Sequence, residues 1–204
     1  MEFCKKKEKN CLTPGLQSAE VGDNYTYIAY KRGSNFFINF HVGKWNDENC
    51  KEFYHKLSKR VRHPTQKRKI TIFSDGNKQN LEGIKTNFPQ GTIHYAMKKK
   101  IWKGDQIVGI VTEVVFGNPK IGTASINHID GFCSKLRERI SCFTRKGRAF
   151  AKKRLCIKQK LEIFSIQHNF MEVKKRQTPA MKEGLTDKKW TWESFFRIRL
   201  STLV

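Results

Sequence analysis

None of the six cysteines (Cys4, Cys11, Cys50, Cys133, Cys142 and Cys156) stands in a Cys-x-x-Cys pair, and no cysteine–histidine spacing matches a zinc site. This excludes the common zinc modules. No secretory signal is read at the start of the chain, so free thiols in a reducing cytoplasm are expected. No apolar run approaches the ~20 residues that cross a bilayer, so a membrane partner is not expected. No internal repeat recurs, which excludes solenoids and propellers. Acidic residues are scarce: 18 Asp and Glu stand against 41 Lys and Arg, leaving a formal net charge of +23. Such a surplus points to a polyanionic partner, nucleic acid first and an anionic membrane surface second. The basic residues are spread along the chain rather than gathered on one amphipathic helix, which weakens the membrane alternative. A ribosomal-type structural protein would carry similar charge, so charge alone does not select an enzyme.

What is present suits a folded domain. The 204 residues, 38% hydrophobic, are enough for one domain or a domain with a small appendage. Residues 25–30 and 35–42 are rich in aromatic and β-branched residues and flank the turn Lys31-Arg32-Gly33-Ser34, which predicts an antiparallel hairpin. Cys50, Phe53, Tyr54, Leu57 and Val61 recur at helical spacing, with Asp47 placed to cap. Residues 78–88 read as a short helix closed by Pro89 and Gly91. Residues 92–96 read as a strand, and 106–116 as a long β-rich run ended by Gly117-Asn118-Pro119. Thr123 or Ser125 can cap a long helix whose buried stripe is Ile126, Ile129, Cys133, Leu136 and Ile140. A second helix is expected from 151 to about 170, and a short last one starting at Trp190 and Trp192. The start is unusual: Phe3-Cys4 looks like the tail of a strand, and sequence is expected upstream of Met1. The order predicts an α/β chain with a mixed sheet; α+β with helices on one side is the alternative.

The centre of this pattern is Lys69-Ile70-Thr71-Ile72-Phe73-Ser74-Asp75-Gly76-Asn77. Its apolar and β-branched run reads as a buried strand, and Ser-Asp-Gly-Asn ends it sharply. Asp75 then sits at the carboxyl edge of a central strand, where open α/β sheets place their chemistry. A carboxylate there can hold a divalent metal; it can equally serve only to shape the turn.

The stretches Val42-Gly43-Lys44-Trp45, Ile72-Phe73-Ser74-Asp75-Gly76 and Ser125-Ile126-Asn127-His128-Ile129-Asp130-Gly131-Phe132, leading to Leu136-Arg137-Glu138-Arg139-Ile140, carry a likeness. So do Thr144-Arg145-Lys146, Ala149-Phe150-Ala151-Lys152, Asn169-Phe170, and Thr178-Pro179-Ala180 with Gly184-Leu185-Thr186 and Trp190. In order and spacing, over nearly the whole chain, these resemble the catalytic domain of the insertion sequence 1 family of transposases. The resemblance implies a ribonuclease-H-like mixed sheet flanked by helices over residues 1–150, and a helical C-terminal extension over 151–204 packed on it. It implies a DDE mechanism, in which three carboxylates hold two Mg²⁺ (or Mn²⁺) ions at the scissile phosphodiester. The implied partners are DNA, as the inverted-repeat ends of a mobile element and its target, and further copies of the chain on that DNA. A cytoplasmic, nucleoid-associated location follows. Fuller members carry an amino-terminal recognition module with zinc-binding cysteines, and nothing in this chain matches it.

The acids carry over unevenly. Asp75 matches the second acid of the family. The first belongs to an Asp-Glu pair that would fall before Met1. Asn127 stands at the position read as that of the third, a glutamate at the start of the long helix. An asparagine carbonyl can ligate a metal but brings no charge to offset two dications. Asp130 is a possible substitute, three residues on and on much the same face, though displaced about 4.5 Å along the axis. His128 is either a softer ligand or a surface histidine, and Glu113 reads as an exposed strand residue. Lys135, Arg137, Arg139, Arg145, Lys146, Arg148, Lys152 and Lys153 form a band after the helix start that can hold phosphates of a DNA strand, or simply be a solvated face. Together these readings predict an insertion-sequence-1-type transposase, in an impaired or relic copy. A non-catalytic nucleic-acid-binding protein, either an element repressor or a ribosome-associated factor, is the alternative.

Overall fold

The computed structural model describes residues 24–120, 127–144, 151 and 153–198, and the backbone of residues 2–3. The chain is a mixed α/β protein with two three-stranded sheets among these residues. In the first, β1 (Glu2–Phe3), β2 (Asn24–Lys31) and β3 (Phe36–Gly43) lie in that order, all antiparallel. Asn35 closes the β2–β3 turn at φ 63°, a left-handed conformation that asparagine tolerates better than most side chains. Ala29 pairs with Asn39 and Tyr30 with Phe37, so Ile38 is an extra residue in the ladder. This bulge breaks the alternation of faces. Ile38 joins Tyr27 and Ala29 on one side, while Phe37, Phe40 and Val42 join Ile28 and Tyr30 on the other. The hairpin is therefore covered on both faces, which is why its sequence is nearly continuously apolar.

One face meets α1 (Asp47–Arg60). Asn46 caps it, its Oδ1 accepting from the Asn49 N–H at 3.0 Å. Asp47 and Glu48 in the first turn and Lys59 and Arg60 in the last complement the helix dipole. Cys50, Phe53, Tyr54 and Leu57 are buried as their spacing predicts. The chain then forms a β–α–β unit: β4 (Ile70–Asp75), α2 (Gln79–Asn87) and β5 (Ile93–Lys103), with β4 and β5 parallel. The same α1 side chains pack with Ile84, Phe88, Ile93, Tyr95 and Met97 of this unit, so one core underlies both sheets.

The second sheet ends in β6 (Gln106–Phe116), antiparallel to β5. Here sequence and structure differ, because β5 continues past Ala96 to Lys103. The run Lys98-Lys99-Lys100 does not end the strand, because the distal ribbon lies outside the core. Its lysines alternate sides, Lys98 opposite Thr112, Lys99 opposite Val111 and Lys100 opposite Ile110. Gly104, at φ 60°, takes the first place of the two-residue loop, as tight hairpins require.

The other face of the β2–β3 hairpin is covered by α3 (Asn127–Arg139), a 3₁₀ turn (Ser141–Phe143) and α4 (Arg154–Ile166). In α3 the fully buried positions are Phe132 and Leu136, followed by Ile140 at the helix end; Ile129 is partly buried. The stripe is rotated from the expected one because Phe132 enters an aromatic nest, 4.6 Å from the Tyr30 ring and 4.8 Å from that of Phe37. Ile126 and the expected caps Thr123 and Ser125 lie outside the described residues. In α4 the inward positions are Ile157, Leu161 and Phe164, while Leu155 faces solvent. The expected long helix continues as a π-helical turn over Gln167–Met171. Beyond it, Thr178 caps α5 (Pro179–Lys182), Trp190 stacks on Phe170 with ring centroids 4.4 Å apart, and α6 (Trp192–Phe196) closes the described chain.

Candidate functional site

Asp75 ends β4 at its carboxyl edge, beside Lys98 of the parallel strand β5. Among the described residues β4 is the end strand of its sheet and only partly buried, not the buried central strand the sequence predicts, because it is paired on one side alone. Its side chain is exposed but oriented. Oδ1 accepts from the Asn80 amide nitrogen at 2.9 Å and from the Asn77 N–H at 3.3 Å. Asn80 is buried at the start of α2, and its own Oδ1 accepts from Tyr54 Oη at 3.1 Å and Cys50 Sγ at 3.7 Å. Asp75 is thus the outer end of a polar chain running into the core between α1 and α2. Burial pushes the Tyr54 phenol well up and raises the Cys50 thiol to about 11, so both stay protonated as donors. Beneath Asp75, Ser74 Oγ and Tyr95 Oη lie 2.8 Å apart, and burial raises Tyr95 to about 12.

This donor set can be tested against a two-metal centre. Among the described residues no three His, Cys, Asp or Glu side chains converge. Asn80 presents its amide nitrogen to Asp75, and its carbonyl is taken up by Tyr54. The described residues at Asp75 therefore do not supply the three acids of a two-metal site.

Asn127, Asp130 and His128 occupy the first turn of α3, all three exposed. Asn127 and His128 line a cavity of about 420 Å³ whose walls include Tyr30, Asn35, Lys135 and His168 but neither Asp75 nor Asp130. The residues that hold Asp75 are absent from this cavity, so Asp75 and Asn127 have separate surroundings. The Asp130 backbone carbonyl accepts from Ser134 Oγ at 3.1 Å.

The cavity carries a constellation that sequence reading missed. His168, on the π-helical turn, is buried, with Nε2 2.8 Å from the Asn35 carbonyl and Nδ1 2.9 Å from Lys135 Nζ. The carbonyl can only accept, so Nε2 carries the proton and Nδ1 accepts from the ammonium. Burial, and then the nearby Lys135 charge, lower the His168 pKa against the pull of the Asn35 carbonyl and Glu172. Lys135 also bonds the Glu172 carboxylate, whose Oε2 lies 3.4 Å from His168 Nδ1. Burial alone would raise Glu172, but Lys135 and His168 together hold it below the usual range. The spacing of His168 and Glu172, four apart, was the available signal.

The basic band divides accordingly. Lys135 is engaged inside this cluster. Arg137 is half-buried, Arg139 is exposed, and Lys153 is exposed at the start of α4. Arg145, Lys146, Arg148 and Lys152 lie outside the described residues. No protein-family model matches the chain, and no curated protein or solved structure is significantly similar to it.

Proposed function

We propose that the chain is an impaired copy of a transposase of the insertion-sequence-1 type, acting weakly on DNA, with a ribonuclease-H-like fold and Asp75 in the place of the family's second acid. The observation that carries this reading is the position of Asp75. It ends the first strand of the β4–α2–β5 unit, with one carboxylate oxygen held by Asn80. The order hairpin, α1, β4, α2, β5 supports the same reading, and the net charge of +23 suits a polyanionic substrate. The test is a joining assay with element-end DNA in Mg²⁺ or Mn²⁺. Joining by the wild type that disappears in Asp75→Ala supports the proposal; joining that survives the substitution rejects it.

A second reading rests on a specific observation. Among the described residues no three His, Cys, Asp or Glu side chains gather around Asp75, and Asn127 lines a cavity that Asp75 does not. A chain that binds DNA without cutting it fits that geometry. It predicts no joining, and DNA affinity equal in wild type and Asp75→Asn.

A further inference from the structure

The outer part of the β5–β6 ribbon carries seven of the fifteen exposed large hydrophobic side chains among the described residues. Ile101 and Trp102 on β5, and Ile107, Val108, Ile110, Val111 and Val114 on β6, are all 40–57% exposed. β6 is the end strand of its sheet, and among the described residues no strand lies on its outer side. Edge strands of this length are normally protected by lysine, proline or brevity. β6 has none of these. It runs for 11 residues without lysine, arginine or proline. It carries two bulges, at Val115 and at Val108, and the stretch between them, Gly109–Val114, pairs with β5 in unbroken register.

Charge on the ribbon is segregated by strand. Lys98, Lys99, Lys100 and Lys103 are all on β5. The only ionisable side chain on β6 is Glu113, and it is paired with Lys99. A polyanion would be met by β5 and would find no cation on β6. A second copy of a +23 chain is repelled by most of this protein's surface, but along β6 it meets a neutral apolar strand.

We propose that β6 pairs antiparallel with β6 of a second copy about a two-fold axis. The product is a continuous β4–β5–β6–β6–β5–β4 sheet, with the lysine-bearing β5 strands one removed from the seam on either side. Each copy has one β6 edge, so the contact is isologous and closes at two. The pairing supplies partners for the outer backbone groups of β6 and cross-strand contacts among Val108, Ile110, Val111 and Val114.

The test is light scattering and sedimentation velocity on the full chain, nuclease-treated and in high salt so that DNA cannot bridge copies. The wild type is expected to be a dimer. Ile110→Lys combined with Val111→Lys sets like charges across the two-fold axis and should raise the dimer dissociation constant by about 100-fold or more. Both residues are exposed, so the melting temperature of the monomer should be unchanged. Lys100→Glu, on β5 and away from the seam, should leave dimerisation intact. A monomeric wild type overturns the proposal. So does a dimer indifferent to the β6 substitutions, assembly beyond two copies, or association seen only with DNA. The measurement contains no DNA, so it stands or falls apart from the reading of Asp75.

Discussion

Asn169 and Phe37 exchange two hydrogen bonds: the Phe37 N–H donates to Asn169 Oδ1, and Asn169 Nδ2 donates to the Phe37 carbonyl, each at 2.9 Å. The side-chain amide does for Phe37 what a neighbouring strand's peptide would do, at the bulge beside Ile38 where the ladder is interrupted. It also fixes the π-helical turn, and with it His168, against the hairpin.

Replacing Asn169 with leucine removes both partners and leaves a buried N–H and C=O unsatisfied. The expected cost is about 2–4 kcal/mol. Asn169→Asp keeps the acceptor but turns a carboxylate toward the Phe37 carbonyl, and should cost at least as much. Urea unfolding midpoints measure both. A loss under about 0.5 kcal/mol, the size of an ordinary surface substitution, would mean that the two bonds do not hold the hairpin to the turn.

The neutral state of His168 makes stability depend on pH. Its folded pKa lies below the ordinary 6.5, and so does that of buried His41, in both cases chiefly through burial. Below pH 6.5 the unfolded chain takes up protons that the folded chain refuses. The stabilisation is therefore complete above 6.5 and is lost as pH falls from 6.5 toward the folded pKa, at up to roughly 1.4 kcal/mol per pH unit for each histidine. Glu172, held below 4.5, contributes in a lower window and does not mask this. Unfolding free energies between pH 7 and 5 should show the fall, and His168→Gln should remove one histidine's share of the slope. An unchanged slope in that variant would place the proton uptake elsewhere.

Much of the scaffold could be read from local pattern. The stripe Cys50, Phe53, Tyr54 and Leu57, the hairpin around residues 31–35 and the strand ending at Asp75 all appear where periodicity and turn chemistry put them. The reach of β5 did not. A triple lysine looks like a break unless its antiparallel partner is known, and that partner is β6, across the Gly104 turn. The cavity cluster was illegible for a similar reason. Lys135 was read with its basic neighbours along the helix, whereas its contacts, His168 and Glu172, lie more than thirty residues away in sequence. The likeness to a catalytic domain picked out Asp75 and Asn127 together, but Asp75 is held from α2 while Asn127 stands on α3 and lines a cavity that Asp75 does not.

Lys135 and Arg139 were read from sequence as one band, yet the structure predicts opposite behaviour. Lys135→Ala leaves the Glu172 carboxylate without its cation in a partly buried site and should destabilise the fold by about 1–2 kcal/mol, the exposure of the pair limiting the effect. Arg139→Ala should leave stability unchanged within about 0.5 kcal/mol but weaken DNA binding. The slope of log affinity against log salt should fall by about 0.9 for each phosphate contact removed. Thermal melts and salt-dependent fluorescence anisotropy on both variants separate the two roles. The division fails if Lys135→Ala lowers the salt slope without lowering the melting temperature.

Gly83 connects the packing of α1 and α2 to the orientation of Asp75. A Cβ at Gly83 would lie 3.0 Å from Tyr54 Cε2, closer still to Cδ2, and 3.3 Å from Cγ. The helices approach here because one of them lacks a side chain. That approach sets Tyr54 Oη 3.1 Å from Asn80, which in turn holds Asp75. On helix propensity alone, Gly83→Ala should stabilise by up to about 1 kcal/mol. The Tyr54 ring is buried and cannot swing out to solvent, so overpacking should win and cost about 1–3 kcal/mol net. Tyr54→Phe keeps the packing but removes one partner of Asn80, with an expected cost of about 1 kcal/mol. If the clash acts by displacing the ring, Gly83→Ala should lose less in the Tyr54→Phe background than in the wild type, because the hydrogen bond it would break is already gone. A double-mutant cycle on the two unfolding free energies reads this coupling directly; strict additivity would show that the polar chain to Asp75 does not depend on the close approach at Gly83.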